Sequence, residues 1–177
     1  ALFWALYLLA LDPDTQEEVA LETRGEHLDS MADIDRQKFT RAVVDETTRL
    51  YPPAFLVARA AREKDNAAGV EIGKGDIIMI APWLLHRHEK LWDQPNAFIP
   101  KRFMSAEAPD RFAYLPFGAG PRVCIGAPFA QAESVLALAR LIGAFRVELA
   151  DQADPVIPLG VVTTQPDHSP MFRITRR

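Results

Sequence analysis

The stretch of this sequence that is richest in chemically distinctive residues is FGAGPRVCIG, residues 117 to 126, which contains the only cysteine of the chain, Cys124. Cys124 lies just before a predicted helix that begins at Pro128, and the positive N-terminal end of a helix favours a thiolate. Arg122 suits a carboxylate or phosphate at the edge of whatever the sulfur binds. Glycines let the backbone turn sharply or approach a flat surface closely, and this stretch has three, Gly118, Gly120 and Gly126. Together these features indicate a haem that is ligated through cysteine.

A second group of functional candidates lies in a predicted helix from about Asp35 to Leu50. At about 100° per residue, Glu46 and Arg49 fall within the same arc of roughly 120° as the apolar residues Phe39, Ala42, Val43 and Leu50. An ExxR pair is ordinarily a surface ion pair, but a pair inside an apolar face is desolvated and needs further donors to saturate the carboxylate. We therefore expect a second arginine at this pair, and Arg102 is the candidate.

The composition limits the classes of function. The chain has 177 residues, of which 49% are hydrophobic and 25% charged, and this fits one globular domain. A net charge of −4 without a basic cluster argues against a nucleic-acid partner. One cysteine cannot form an internal disulfide, which indicates a reducing compartment or a thiol kept for its chemistry. The four histidines have no HExxH spacing, so a zinc enzyme is disfavoured.

Four helices are predicted around these motifs. The opening ALFWALYLLAL is too short to cross a bilayer, and we interpret it as the second half of a buried helix. Asp12 before Pro13 predicts a second helix from 13 to about 25. The third helix ends at Tyr51-Pro52-Pro53, where prolines remove the donors that would continue it. The fourth runs from Pro128 to about Phe145, and its nearly all-apolar surface predicts a buried core helix.

Short strands and one long irregular segment fill the rest of the chain. The segments FLVARAA, VEI and DIIMI are predicted strands, with Gly73-Lys74-Gly75 as the turn of a hairpin. RVELA and MFRITRR are predicted terminal strands. Residues 81 to 127 are rich in proline and aromatic residues and lack periodicity, which is typical of a functional segment or of one tied to something large.

These motifs resemble the C-terminal part of the cytochrome P450 family. FGAGPRVCIG matches the family's haem-binding signature F-G-x-G-x-R-x-C-x-G at every specified position, and Glu46 to Arg49 followed by LYPP matches its ExxR helix end. Further features occur in the same order as in the family: Arg59, Gly73-Lys74-Gly75, His86-Arg87 and the stretch from Trp92 to Pro95. The resemblance therefore covers essentially all 177 residues. The resemblance implies a mainly α fold with small β-sheets (α+β), in which residues 1–177 are the proximal, C-terminal part of a single P450 domain.

The resemblance also implies roles for individual residues. Cys124 is expected to be the axial ligand of the iron of haem b, Phe117 to shield its sulfur, and Arg122 and Arg59 to bind the haem propionates. His86 is a further candidate at a propionate, with a satisfied core histidine as the alternative. The complete cofactor-binding set is Cys124, Arg122, Arg59, His86, Pro116, Phe117, Gly118, Gly120 and Gly126.

The resemblance further implies a buried structural network, formed by Glu46, Arg49 and Arg102. Lys101 stands where the family usually has an acidic residue. The candidates for substrate contact are Ala54, Phe55, Leu56, Val57, Val161 and Val162.

The implied activity is that of a haem-thiolate monooxygenase. Such an enzyme inserts one atom of O2 into a hydrophobic small molecule, with electrons from a ferredoxin or a flavoprotein reductase. A soluble, cytoplasmic, bacterial protein is expected. The family's distal helix, which binds O2 and relays protons, is absent from these residues, so that less than full activity is expected of them alone. The alternatives are a non-catalytic P450-like module that binds haem or has a structural role, and a thiol enzyme in which Cys124 pairs with His86. No C-x5-R phosphate cradle or protease signature supports the latter.

Overall fold

Helices make up most of the regular structure of this protein. The structure, a computed structural model, describes residues 1–106, 109–150 and 154–177. Six α-helices occur among them: α1 (Leu2–Leu11), α2 (Pro13–Thr23), α3 (Met31–Arg36), α4 (Lys38–Leu50), α5 (Pro82–Leu85) and α6 (Ala127–Ala144). Two 3-10 helices, Pro100–Met104 and Gly120–Arg122, lie in the segment that was predicted to be irregular. Within the described ranges, no helix is both long and apolar enough to cross a membrane.

The first two helices begin and end close to where the sequence predicts. Asp12 is the N-cap of α2, and its carboxylate accepts the Thr15 N–H at 3.0 Å. Pro13 occupies the first helical position, where a missing N–H costs no hydrogen bond. The helix ends at Thr23, about two residues before the predicted end.

The third predicted helix is two helices in the structure. Ser30 caps α3 through a capping box with Asp33, and Gln37 interrupts the helical backbone before α4 begins at Lys38. The carboxylate of Glu22 accepts the N–H groups of Phe39 and Thr40 at 2.7 and 2.8 Å, which satisfies free donors at the start of α4. The prediction of one helix from Asp35 was therefore wrong at its beginning and right at its end.

Eight strands form four two-stranded antiparallel sheets in the described part of the chain. The pairs are β1 (Val57–Ala60) with β4 (Ile77–Ile80), β2 (Asp65–Ala67) with β3 (Val70–Ile72), β5 (Phe145–Leu149) with β8 (Phe172–Arg176), and β6 (Pro158–Gly160) with β7 (Thr164–Pro166). The predicted hairpin around Gly73-Lys74-Gly75 was wrong, because β3 and β4 do not pair with each other. The Gly75 N–H instead donates to the Ala61 carbonyl at 2.9 Å and directs β4 onto β1.

The hydrophobic core lies between α1, α2, α4, α6 and β5. Helix α6 buries Val135, Leu138 and Ile142 in this core, as expected of a core helix. Its opposite side is more open than predicted, since Phe129 is 72% exposed. Helices packed in one core with small antiparallel sheets at their ends confirm the predicted α+β class. This arrangement fixes α4 and α6, the two helices that flank the functional candidates.

Candidate functional site

The segment that carries Cys124, residues 117 to 126, forms a loop that closes on itself and is called the cysteine loop below. Gly118 and Gly120 have φ angles of +74° and +72°, in the left-handed region that favours glycine. The Cys124 N–H donates to the Phe117 carbonyl at 3.0 Å, and this hydrogen bond joins the two halves of the loop. Gly126 has an ordinary φ of −84° and is the N-cap of α6. The loop therefore ends directly at the positive end of α6, three residues after Cys124.

The surroundings of Cys124 suit a large, flat, apolar group. Cys124 is exposed, and so are its neighbours Val123 and Ile125, of which Ile125 is 99% exposed. Phe129, at the start of α6, is exposed as well. A soft sulfur ligand surrounded by exposed apolar side chains matches the chemistry of a haem face, so the residues fit this cofactor.

Glu46 and Arg49 form a fully buried ion pair on α4. The Arg49 Nε lies 2.7 Å from Glu46 Oε2, and the Arg49 Nη2 lies 2.9 Å from Glu46 Oε1. Neither side chain is exposed to solvent. The other N–H groups of Arg49 donate to the carbonyls of His86 and Pro95 at 2.7 Å and of Ala97 at 3.0 Å. All five guanidinium donors are thus satisfied, as a buried arginine requires.

Arg102 completes this network from the 3-10 helix Pro100–Met104. Its Nε donates to Glu46 Oε1 at 3.1 Å, and its side chain is 14% exposed. The Ile99 N–H donates to the same oxygen at 2.9 Å. The structure therefore brings Glu46, Arg49 and Arg102 together, and through them α4 holds the irregular segment in place.

His86 has both ring nitrogens engaged inside the chain. Its Nε2 accepts the Leu115 N–H at 2.8 Å, so that Nδ1 carries the proton and donates to the Arg49 carbonyl at 3.1 Å. The residue is fully buried, and burial lowers the pKa of its ring to about 4. A neutral, fully hydrogen-bonded imidazole has no free donor for a propionate. The geometry therefore favours the core-histidine alternative over the propionate role, and it offers no base to Cys124.

The two arginines expected at the propionates both face solvent. Arg59 lies on β1, where it is paired with Ile78 of β4, and its Nη1 donates to the Ala58 carbonyl at 2.8 Å. Arg122 ends the 3-10 helix of the cysteine loop and is exposed. Across the described ranges, neither arginine forms a salt bridge with a carboxylate of this chain. Both therefore keep guanidinium donors for an external anion.

The two candidate substrate segments meet at an apolar cavity of about 300 Å³. The Thr164 side chain donates to the Pro52 carbonyl at 2.6 Å, which joins the C-terminal segment to the end of α4. Phe55 packs so closely on Gly160 that a Cβ at this glycine would lie 2.9 Å from the ring. Val161 and Val162 are exposed at the turn between β6 and β7. The cavity is lined by Phe55, Trp83, Pro158, Leu159, Gly160 and Thr164.

Comparison with known proteins identifies the family. The family model described as "Cytochrome P450" matches residues 1–171. The chain belongs to the cytochrome P450 family. This family is one of haem-iron enzymes, in agreement with the chemistry that the residues around Cys124 suit.

Individual P450 relatives are similar over most of this chain. "Protein LUTEIN DEFICIENT 5, chloroplastic" from Arabidopsis thaliana is 37% identical over 88% of the chain and 27% of its own length. "Cytochrome P450 4V2" from Rattus norvegicus is 33% identical over 100% of the chain and 35% of its own length. "Cyclooctatin synthase" from Streptomyces melanosporofaciens is 36% identical over 83% of the chain and 33% of its own length. The chain therefore spans about a third of the length of the curated relatives that it matches.

Sequence reasoning missed two residues at the candidate site. Trp83 lines the apolar cavity, and its backbone N–H donates to the Phe55 carbonyl at 3.3 Å, but it lies in a segment whose sequence lacks periodicity. Tyr114 contacts α4 from the segment before the cysteine loop. The only indication of this contact in the sequence is that a tyrosine stands in an apolar stretch. A buried tyrosine hydroxyl usually needs a hydrogen-bond partner, so a partner elsewhere in the chain could have been expected.

Proposed function

We propose that this protein is a haem-thiolate monooxygenase in which Cys124 ligates the iron of haem b. The observation that carries the proposal is the position of the Cys124 sulfur. It is exposed on a loop that two left-handed glycines turn and that leads directly into the N-terminal end of α6. We also propose that residues 1–177 are the C-terminal part of a single P450 domain, because their motifs occur in the same order as in the C-terminal part of the family's proteins.

The residues of this chain have distinct roles in the proposed enzyme. The bound haem iron supplies the activation of O2. The Cys124 sulfur holds the iron, and the loop hydrogen bond to the Phe117 carbonyl orients the cysteine backbone. Val123, Ile125 and Phe129 exclude water from the cofactor. Arg122 and Arg59 bind the propionate carboxylates, for which a guanidinium is well shaped.

The proposed substrate is a hydrophobic small molecule. Support comes from the cavity of about 300 Å³, whose lining is mostly aromatic and aliphatic, with the Thr164 hydroxyl already bonded to Pro52. Electrons are proposed to come from a ferredoxin or a flavoprotein reductase, as the family resemblance implies. A soluble protein of a bacterial cytoplasm belongs to the same proposal.

The deciding experiment is the absorption spectrum of the haem-loaded protein after reduction and addition of CO. A thiolate ligand gives a strongly red-shifted Soret band. Cys124→Ser should abolish that band, whereas the control Val70→Ala, which changes an exposed side chain on β3 outside the cysteine loop, should retain it. A red-shifted band that survives in Cys124→Ser would refute the ligand assignment. A wild-type protein that takes up no haem would favour the non-catalytic structural module.

A further inference from the structure

Tyr114 fastens the segment before the cysteine loop to α4. Its hydroxyl lies 3.0 Å from the Asp45 carbonyl oxygen, 3.2 Å from Asp45 Oδ1 and 2.8 Å from Thr48 Oγ1. The hydroxyl has one proton, which it donates to Asp45, and its lone pairs can accept from Thr48. Burial raises the pKa of Tyr114 well above its usual value, so this proton is retained. Tyr114 is three residues before Phe117, where the loop begins.

Gln131 fastens the other side of the cysteine loop to the same carboxylate. It lies on α6, seven residues after Cys124, and its Nε2 donates to Asp45 Oδ1 at 3.2 Å. Its Oε1 accepts from Arg41 Nη2 at 3.0 Å, and the Arg41 Nε lies 4.0 Å from Asp45 Oδ2. Asp45 thus receives hydrogen bonds from residues on both sides of the loop.

The cysteine loop is not closely packed against α4. A cavity of about 80 Å³ separates α4 from the loop, and Asp45, Thr48, Pro116, Phe117 and Gln131 are among its lining residues. The start of the loop therefore has space to shift toward α4. Because the Cys124 N–H is bonded to the Phe117 carbonyl, a shift of Phe117 is transmitted to the cysteine.

We propose that Asp45, through Tyr114 and Gln131, is a positioning residue that fixes both ends of the cysteine loop and thereby the place of the Cys124 sulfur. The consequence for iron ligation rests on the proposed function, whereas the consequence for the loop does not. Asp45 directly precedes Glu46 on α4, so the same short stretch of helix anchors the buried ion network and the cysteine loop.

The spectroscopic test uses the haem-loaded protein with Tyr114→Phe, which removes the hydroxyl and keeps the ring. The red-shifted band of its reduced CO complex should be lost about fivefold faster than in the wild type, as for one missing hydrogen bond. The matched control is Tyr7→Phe, which removes a hydroxyl that accepts the Val156 N–H at 3.1 Å in the separate cluster around Trp4. Asp45→Ala keeps the Asp45 carbonyl as an acceptor for Tyr114 but removes the Oδ1 acceptor of Gln131, so it also loses one hydrogen bond beside the loop and should lose the band at a similar rate. Asp45→Asn keeps the Oδ1 acceptor and should lose the red-shifted band at a rate close to that of the wild type.

The second measurement does not depend on iron ligation. Hydrogen exchange of the Cys124 amide should be about fivefold faster in Tyr114→Phe and in Asp45→Ala than in Tyr7→Phe. If the wild type shows no red-shifted band, the proposed function fails, while the exchange rates still decide whether Asp45 positions the loop. If Tyr114→Phe matches the control in its exchange rate, Asp45 does not position the loop and the inference is overturned.

Discussion

Arg49 and His86 exchange hydrogen bonds in both directions. The Arg49 Nη1 donates to the His86 carbonyl at 2.7 Å, and the His86 Nδ1 donates to the Arg49 carbonyl at 3.1 Å. The same imidazole accepts the Leu115 N–H through Nε2. His86 therefore joins the C-terminal end of α4 to the segment that enters the cysteine loop, and it can do so only as the neutral ring.

This role predicts a pH dependence of stability. Burial lowers the pKa of native His86 to about 4, so between about pH 4 and 6.5 the unfolded chain binds a proton that the native ring does not. Stability from this residue is thus complete above about pH 6.5 and decreases as the pH falls to about 4. As the pH falls over this range, the free energy of unfolding of the wild type should decrease by up to about 3 kcal/mol more than that of His86→Gln. Urea unfolding at about pH 7 and about pH 4.5 measures the difference.

The control for this prediction is His27→Gln, since the His27 side chain is 92% exposed. It should leave the pH dependence of the unfolding free energy close to that of the wild type. Parallel pH profiles for the wild type and His86→Gln would contradict the assignment of a buried neutral ring.

The buried ion network predicts a large effect of Glu46→Ala. This substitution leaves Arg49 buried without its counter-ion and removes an acceptor from Arg102 and from the Ile99 N–H. The expected destabilisation is about 3 to 5 kcal/mol. Urea unfolding followed by tryptophan fluorescence is suitable, because Trp92 lies 5.0 Å from the Arg49 guanidinium.

An exposed ion pair provides the comparison. Glu18 and Lys101 meet at 3.0 Å with side chains 44% and 67% exposed. Glu18→Ala should lower the free energy of unfolding by less than about 1 kcal/mol. Similar small losses for both variants would show that Glu46 does not hold the irregular segment in place.

Helical periodicity was sufficient to place Glu46 and Arg49 inside the core, because both lie on the apolar face of one helix. The contribution of Arg102 followed from the need to saturate a buried carboxylate. The role of His86 could not be predicted in this way, since its partners are the Arg49 carbonyl and the Leu115 N–H, and backbone groups of irregular segments leave no pattern in the sequence. Strand pairing failed for a related reason. Local turn residues at Gly73 and Gly75 indicated a hairpin, but pairing depends on which strands meet in space.

The proposed roles of the exposed arginines predict a loss of haem affinity. Arg122→Gln removes a charged donor close to Cys124, and a hydrogen bond to a charged group contributes about 1.5 to 3 kcal/mol. Haem should therefore dissociate at least about tenfold faster, measured by transfer to an excess of an acceptor protein. Arg59→Gln should act in the same direction. Arg62→Gln, an exposed arginine just beyond β1, should have little effect, and an equal effect of all three variants would argue against specific propionate contacts.

The close contact between Phe55 and Gly160 predicts that Gly160→Ala alters the apolar cavity. The added Cβ would lie 2.9 Å from two ring atoms of Phe55, so the ring must shift, and the methyl group itself takes up space beside the cavity that both residues line. A smaller cavity should bind bulky apolar ligands about tenfold more weakly, which corresponds to about 1.4 kcal/mol. Titration of the haem-loaded protein with hydrophobic ligands, followed by the Soret shift, measures this affinity. Leu21→Ala changes an exposed side chain on α2, outside the lining of this cavity, and should leave the affinity near that of the wild type. If bulky and small ligands bind equally well to Gly160→Ala and to the wild type, this cavity is not where the substrate binds.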